Sequence, residues 1–254
     1  MVRLHVALAA SEGGGWGLGK MTCVVFFDLV GTLIRPREPV GHQYAAVARR
    51  YGAELEPRAV EAAFHRAMGA TPGSTPGGES LEATAAAERR WWGELVRGVV
   101  AECGAGPLEQ GRVFEDYFAE LYEHFTTARA WALYDDTLPA LDGLAARGIP
   151  AGLITNYDTR VYRVLDALDL TGRLDSVTIP AHAGVSKPDR AIFAHALAAH
   201  GVAASEALHV GDSLEDDYIG ATGAGMSALL LDRKGRYAGD ASLKRVAGLG
   251  DLEV

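Results

Sequence analysis

The run Thr22-Cys-Val-Val-Phe-Phe-Asp-Leu-Val-Gly-Thr-Leu33 decides how the rest of the chain is read. Its first half is an unbroken β-branched and aromatic stretch, which suits a strand buried on both faces. The stretch stops at Asp28, and Gly31-Thr32 follow almost at once. A carboxylate therefore stands at the carboxyl end of a central strand, where open α/β sheets bind their ligands.

After Trp131 the sequence alternates between helix and strand. Periodicity predicts helix 136–147, strand 149–154, helix 158–168 and strand 174–179, then helix 189–200, strand 207–211, helix 215–224 and strand 226–231. Strands separated by helices of that length imply right-handed crossovers and a parallel sheet that includes strand 22–27. Residues 39–129 read differently. Tyr44, Val47, Ala48 and Tyr51, and then Val60, Ala63, Phe64 and Ala67, recur at helical spacing. A Pro/Gly loop at 71–78 precedes two longer helices, one around Trp91, Trp92, Leu95 and Val99, the other from Val113 to Leu121. The expected organisation is an α/β layer from 21–38 and 130–254, with an all-helical insertion at 39–129. Residues 1–20 carry an apolar run at the short limit for a signal peptide, then Gly13 to Lys20, too glycine-rich to pack. They are expected to be a dispensable tail or a start codon assigned too early.

With 254 residues the chain can bury a core without disulfide or zinc staples. Cys23 and Cys103 make no disulfide framework, which fits a cytoplasmic protein. A net charge of -9 argues against sequence-independent binding to nucleic acid, and no run of 18 apolar residues predicts a membrane span. Of 24 basic residues only Lys20, Lys187, Lys234 and Lys244 are lysines.

Four strand ends carry polar residues that could share one site: Asp28 to Leu33, Thr155-Asn156, Gly184 to Asp189 with Lys187, and Gly211 to Asp217. Together they supply a carboxylate nucleophile, a hydroxyl, an amide, an ammonium and an acidic cluster. Hard oxygen ligands of this kind select Mg²⁺, and a lysine nearby would balance a transferring phosphoryl group. Singly each segment has a plainer use, such as a helix cap for Asp28 or a dipole-favoured first turn for Glu215 to Asp217. Other candidates fail. Gly14 to Lys20 has P-loop spacing, but Met21 stands where Ser or Thr is required. His195 and His200 lie on different helix faces.

These four segments, in this order, resemble the haloacid dehalogenase-like hydrolase superfamily with a helical cap inserted after the first motif. The resemblance covers residues 22–232 and implies a parallel Rossmann-like sheet flanked by helices, with an inserted all-helical cap domain. It assigns Asp28 as the nucleophile that forms an aspartyl-phosphate, and Lys187 as the charge-balancing lysine. Thr155 becomes the phosphoryl-binding hydroxyl, with Asn156 beside it. Asp28, the backbone carbonyl of Val30, Asp212 and Asp217 become the Mg²⁺ site, with Asp217 preferred over Asp216 because Gly220-Ala221 sets the register.

One departure stands out. Phosphatases of the superfamily usually carry a second Asp two residues after the nucleophile, as general acid and base; here the position is Val30. Acid–base help is worth about 10²–10⁴ in rate, so the expected activity is slow or restricted to good leaving groups. The implied function is a Mg²⁺-dependent phosphatase acting on a small phosphorylated molecule, with no nucleic-acid or membrane partner. Two alternatives remain open: a catalytically silent binding or regulatory protein, and a haloacid dehalogenase, whose halide needs no proton. A phosphonate hydrolase needs a cap lysine, and none lies between residues 35 and 134.

Overall fold

The computed structural model describes residues 22–70, 80–109 and 111–252. The predicted tail at 1–20 and the Pro/Gly loop at 71–78 lie outside the described residues. The strands are β1 (Val24–Phe27), β2 (Ile34–Pro36), β3 (Trp131–Leu133), β4 (Ala151–Ile154), β5 (Ser176–Thr178), β6 (Ala207–Gly211), β7 (Ser227–Leu231) and β8 (Arg245–Val246). The helices are α1 (Val40–Ala48), α2 (Pro57–Ala70), α3 (Leu81–Glu102), α4 (Gly111–His124), α5 (Thr137–Ala146), α6 (Val161–Ala167), the single turn α7 (Pro180–Ala183), α8 (Arg190–His200) and α9 (Gly220–Gly223).

Six strands form one sheet in the order β5-β4-β1-β6-β7-β8, every pair parallel. The apolar run of β1 is fully enclosed because it is the strand between β4 and β6. Its alternate side chains serve opposite faces, as the two-residue strand period requires. Val25 and Phe27 pack with Leu141, Leu144, Val161 and Leu165 of α5 and α6. Val24 and Phe26 pack with Ile192, Phe193 and Ala196 of α8. The strand order reverses at β1, so the crevice beyond the carboxyl ends of β1, β4 and β6 is a topological switch point.

Helices α1 to α4 form a separate cluster built on Tyr44, Val60, Leu95, Val99, Tyr117 and Leu121. Two connecting segments join it to the sheet, and they pair as the antiparallel strands β2 and β3, Pro36 opposite Trp131. Buried Gln43 fastens both segments: its Nε2 donates to Glu38 O (2.7 Å) and Ala130 O (3.2 Å), and its Oε1 accepts from His124 Nε2 (2.6 Å).

The single helix predicted at 215–224 is instead a wide π turn, Leu214–Ile219, followed by α9. Strands β2, β3 and β8, of two or three residues, were not predicted, because so short a run has no readable alternation. Among the described residues no helix is long and apolar enough to cross a membrane.

Candidate active site

Asp28 leaves the end of β1 with its backbone still tied to the sheet, its N–H donating to Val210 O at 2.9 Å. Thr155 occupies the same level at the end of β4 and Asp212 at the end of β6. Lys187 comes from the segment before α8. Its backbone is clamped by Asn156, whose Oδ1 accepts from Lys187 N–H (2.7 Å) and whose Nδ2 donates to Lys187 O (3.0 Å). The Asn156 amide, read from sequence as a phosphate ligand, is thus taken up in fixing the lysine. Thr155 is buried, and its Oγ1 accepts from Tyr157 N–H at 3.3 Å.

Lys187 Nζ donates to Asp28 Oδ1 at 2.7 Å and to Asp217 Oδ1 at 2.6 Å, with all three side chains buried. Asp217 also accepts from His209 Nε2 (2.9 Å) at Oδ1 and from Ser213 N–H (3.0 Å) at Oδ2. The neighbouring Asp216 stands outside this set; its N–H donates to Ser213 Oγ in the turn. Two glycines make the crowding possible. A Cβ on Gly211 would lie 2.2 Å from the Asp217 carboxyl carbon. One on Gly31, whose φ of +99° also favours glycine, would lie 2.4 Å from the Asp212 carboxylate. Asp28, Asp212 and Asp217 each offer a carboxylate oxygen within 4.8 Å of the others. Val30 is half-buried against the apolar cluster under β1.

The electrostatics follow from this geometry. Burial penalises the Asp217 carboxylate, but the Lys187 charge and the His209 hydrogen bond outweigh that and hold it well below the usual carboxylate range. Asp28 goes the other way: burial and repulsion from Asp217 exceed the attraction of Lys187, so it sits above that range. Burial works against the Lys187 charge, yet the two carboxylates keep it firmly protonated. Asp212 reaches solvent on its outer side, while its carboxyl is pushed up to about 6 by desolvation and then by Asp28 and Asp217.

A sequence matching the haloacid dehalogenase-like hydrolase family runs over residues 24–225. The chain belongs to that family. This hydrolase is 31% identical over 210 residues to the haloacid dehalogenase-like hydrolase domain-containing protein 3 of Danio rerio, covering 83% of this chain and 85% of that one. It resembles the crystal structure of a 2-haloacid dehalogenase from Pseudomonas syringae at 25% identity and a TM-score of 0.62, over 91% of this chain and 96% of the other. A phosphatase of the family from Thermococcus onnurineus shares the fold at 21% identity, with a TM-score of 0.56 over 90% and 95% of the two chains.

Sequence reading missed His209. The only signal was a titratable residue in the middle of the apolar strand Ala-Leu-His-Val-Gly. Beside the site, an open cleft of about 610 Å³ runs from Asp212 past Ile219 to Arg236 and Tyr237. A smaller apolar cavity of about 80 Å³ lies against the helical block, walled by Tyr44, Phe64, Trp92, Tyr122, Tyr157 and Arg160.

Proposed function

We propose that this hydrolase is a Mg²⁺-dependent phosphatase that moves a phosphoryl group from a small phosphorylated molecule to Asp28 and then to water. The reading rests above all on Lys187, a buried ammonium 2.7 Å from the Asp28 carboxylate at the sheet's switch point. That is where negative charge gathers when a carboxylate attacks phosphorus.

The donor set fits Mg²⁺. Three carboxylates and one ammonium sum to a charge of -2, and the ligands are hard oxygens. Asp28, the Val30 carbonyl and Asp212 would hold the ion directly. Asp217 already accepts hydrogen bonds at both oxygens, which suits contact through a water. Bound there, Mg²⁺ would neutralise the phosphate oxygens.

In this mechanism an Asp28 oxygen bonds to phosphorus as the bond to the leaving oxygen breaks, while Thr155 Oγ1 and Lys187 Nζ hold the phosphoryl oxygens. The leaving oxygen takes its proton from solvent, because Val30 has none to give. Water then attacks phosphorus, releases inorganic phosphate and restores Asp28. Acyl and aryl phosphates should therefore be preferred over alkyl phosphates. A soluble substrate and a cytoplasmic setting belong to the same proposal.

Val30 also favours a second reading, dehalogenation, in which Asp28 displaces halide from carbon and no acid is needed. It leaves the Asp212 carboxylate without a task, while Asp217 would serve only to pair Lys187. Acetyl phosphate, p-nitrophenyl phosphate, alkyl phosphates and 2-haloacids, each assayed with Mg²⁺ and with chelator, separate the two. Mg²⁺-dependent hydrolysis of the first two is expected, with Val30→Asp raising alkyl phosphate turnover about 10²-fold and Asp28→Asn abolishing all activity. Halide release that survives chelation would install the dehalogenase reading. A folded Val30→Asp protein inert on every substrate would leave a silent binding protein.

A further inference from the structure

The segment that continues from Thr155 and Asn156 is gripped by the helical block. On α3, a mostly apolar inward face carries Glu88, 4% exposed, between Thr84 and Leu95. Glu88 Oε2 accepts from both Thr159 N–H (3.0 Å) and Thr159 Oγ1 (2.5 Å). One turn further on, Trp92 Nε1 donates to Asp158 Oδ2 at 2.6 Å. Burial lifts the Glu88 carboxyl above its ordinary value, the cost of placing a charge in a helix face. A buried acid that spends one oxygen on a backbone N–H and a hydroxyl of another layer is a specific contact rather than general packing.

The charges at this junction are divided unevenly. Arg160 Nε and Nη2 engage Asp158 at 2.5–3.0 Å, and the two residues are neighbours on one loop. Tyr122 of α4 and Trp92 of α3 cover the guanidinium from 4.0 and 5.0 Å. If α3 lifts away, the Asp158–Arg160 pair and its contact with Tyr122 of α4 stay intact, and what separates is the Glu88 and Trp92 hydrogen bonds and the Trp92 ring over the guanidinium. Arg160 keeps its own carboxylate partner throughout, so the separation leaves no buried guanidinium unpaired.

We propose that Glu88 and Trp92 are positioning residues: by latching residues 158–159 they fix the loop that carries Thr155 and, through Asn156, the backbone of Lys187. Seating of the helical block and assembly of the site then become one event. The mechanistic meaning rests on the phosphatase reading; the latch itself does not.

The test uses the full chain with Glu88→Ala, Glu88→Gln and Trp92→Phe. Backbone hydrogen exchange is followed in segments 155–160 and 185–188, with β1 and β6 as internal reference. Loss of a hydrogen bond to a charged group is worth about tenfold or more, so protection in those two segments should fall about tenfold in Glu88→Ala and Trp92→Phe while β1 and β6 hold. Glu88→Gln, whose amide oxygen still accepts one bond, should recover part of it. A uniform fall across all strands would mean Glu88 and Trp92 are ordinary core residues, and unchanged exchange in folded variants would equally overturn the latch. With p-nitrophenyl phosphate and Mg²⁺, kcat should drop in step with lost protection. Wild-type protein inactive on every phosphate ester would sink the phosphatase reading and leave the exchange result to decide the latch.

Discussion

Lys187 and Arg160 are both buried cations, 4% and 8% exposed, and both are paired with aspartate. Their partners differ in origin. Lys187 is held by Asp28 and Asp217, which lie 159 and 30 residues away and arrive from the end of β1 and from the π turn after β6. Arg160 is held by Asp158, two residues away, and is finished by rings from the helical block. The first charge is neutralised only when the whole sheet is assembled. The second is neutralised within its own loop, so its surroundings are free to change. An ammonium, compact and able to share itself between carboxylates, suits the first position; a flat guanidinium that stacks on rings suits the second.

The contrast can be broken at its strongest point. Lys187→Met strands two buried carboxylates without a cation and should cost about 3–5 kcal/mol in urea unfolding, with loss of all activity. Mg²⁺ should restore part of that stability if the carboxylates are its ligands; no response would detach the metal from this cluster. Lys187→Arg keeps the charge but forces a larger fork into a filled pocket, and about 1–3 kcal/mol is expected from overpacking, again with activity lost. Retained activity would show that charge alone suffices there.

Arg160→Lys sharpens the other half. It gives up the forked contact with Asp158 and the stacking on Tyr122, and a loss of roughly 1–2 kcal/mol in thermal unfolding is expected, less than at Lys187. The smallest effect belongs to Arg163 and Glu123, which pair at 2.8 Å near the same junction but are more than half exposed. The hydrogen bond from Arg163 lowers the Glu123 pKa, so whatever it contributes is present above the usual carboxylate range and lost as pH falls through it. Solvent screening limits Glu123→Gln to a few tenths of a kcal/mol at neutral pH, and salt should erase the difference.

Much of this was legible in the sequence for a physical reason. The β1 run and the later helix–strand alternation are long enough for periodicity to speak, and the four polar strand ends fall where a parallel sheet puts its ligands. What stayed hidden depends on tertiary approach. The β2–β3 pairing joins segments about 100 residues apart, each three residues long. Asn156 has the right residue type for a phosphate ligand, and only the path of the Lys187 backbone shows where its amide goes. Glu88 lies on a helix whose other inward residues are mostly apolar, so by pattern alone it reads as an interruption.

The short ribbon of β2 and β3 has a modular consequence. Entry to and exit from the helical block lie side by side, Pro36 against Trp131, with Gln43 fastening the pair. The chain therefore crosses between the sheet and the helical block at one two-strand port. Termini that close together are the condition under which whole domains are exchanged without disturbing their host. A foreign helical block joined at Pro36 and Trp131 would leave Asp28 and Asp217 on their own sheet-borne elements, and would take Glu88 and Trp92 away from the loop that carries Thr155 and, through Asn156, steadies Lys187.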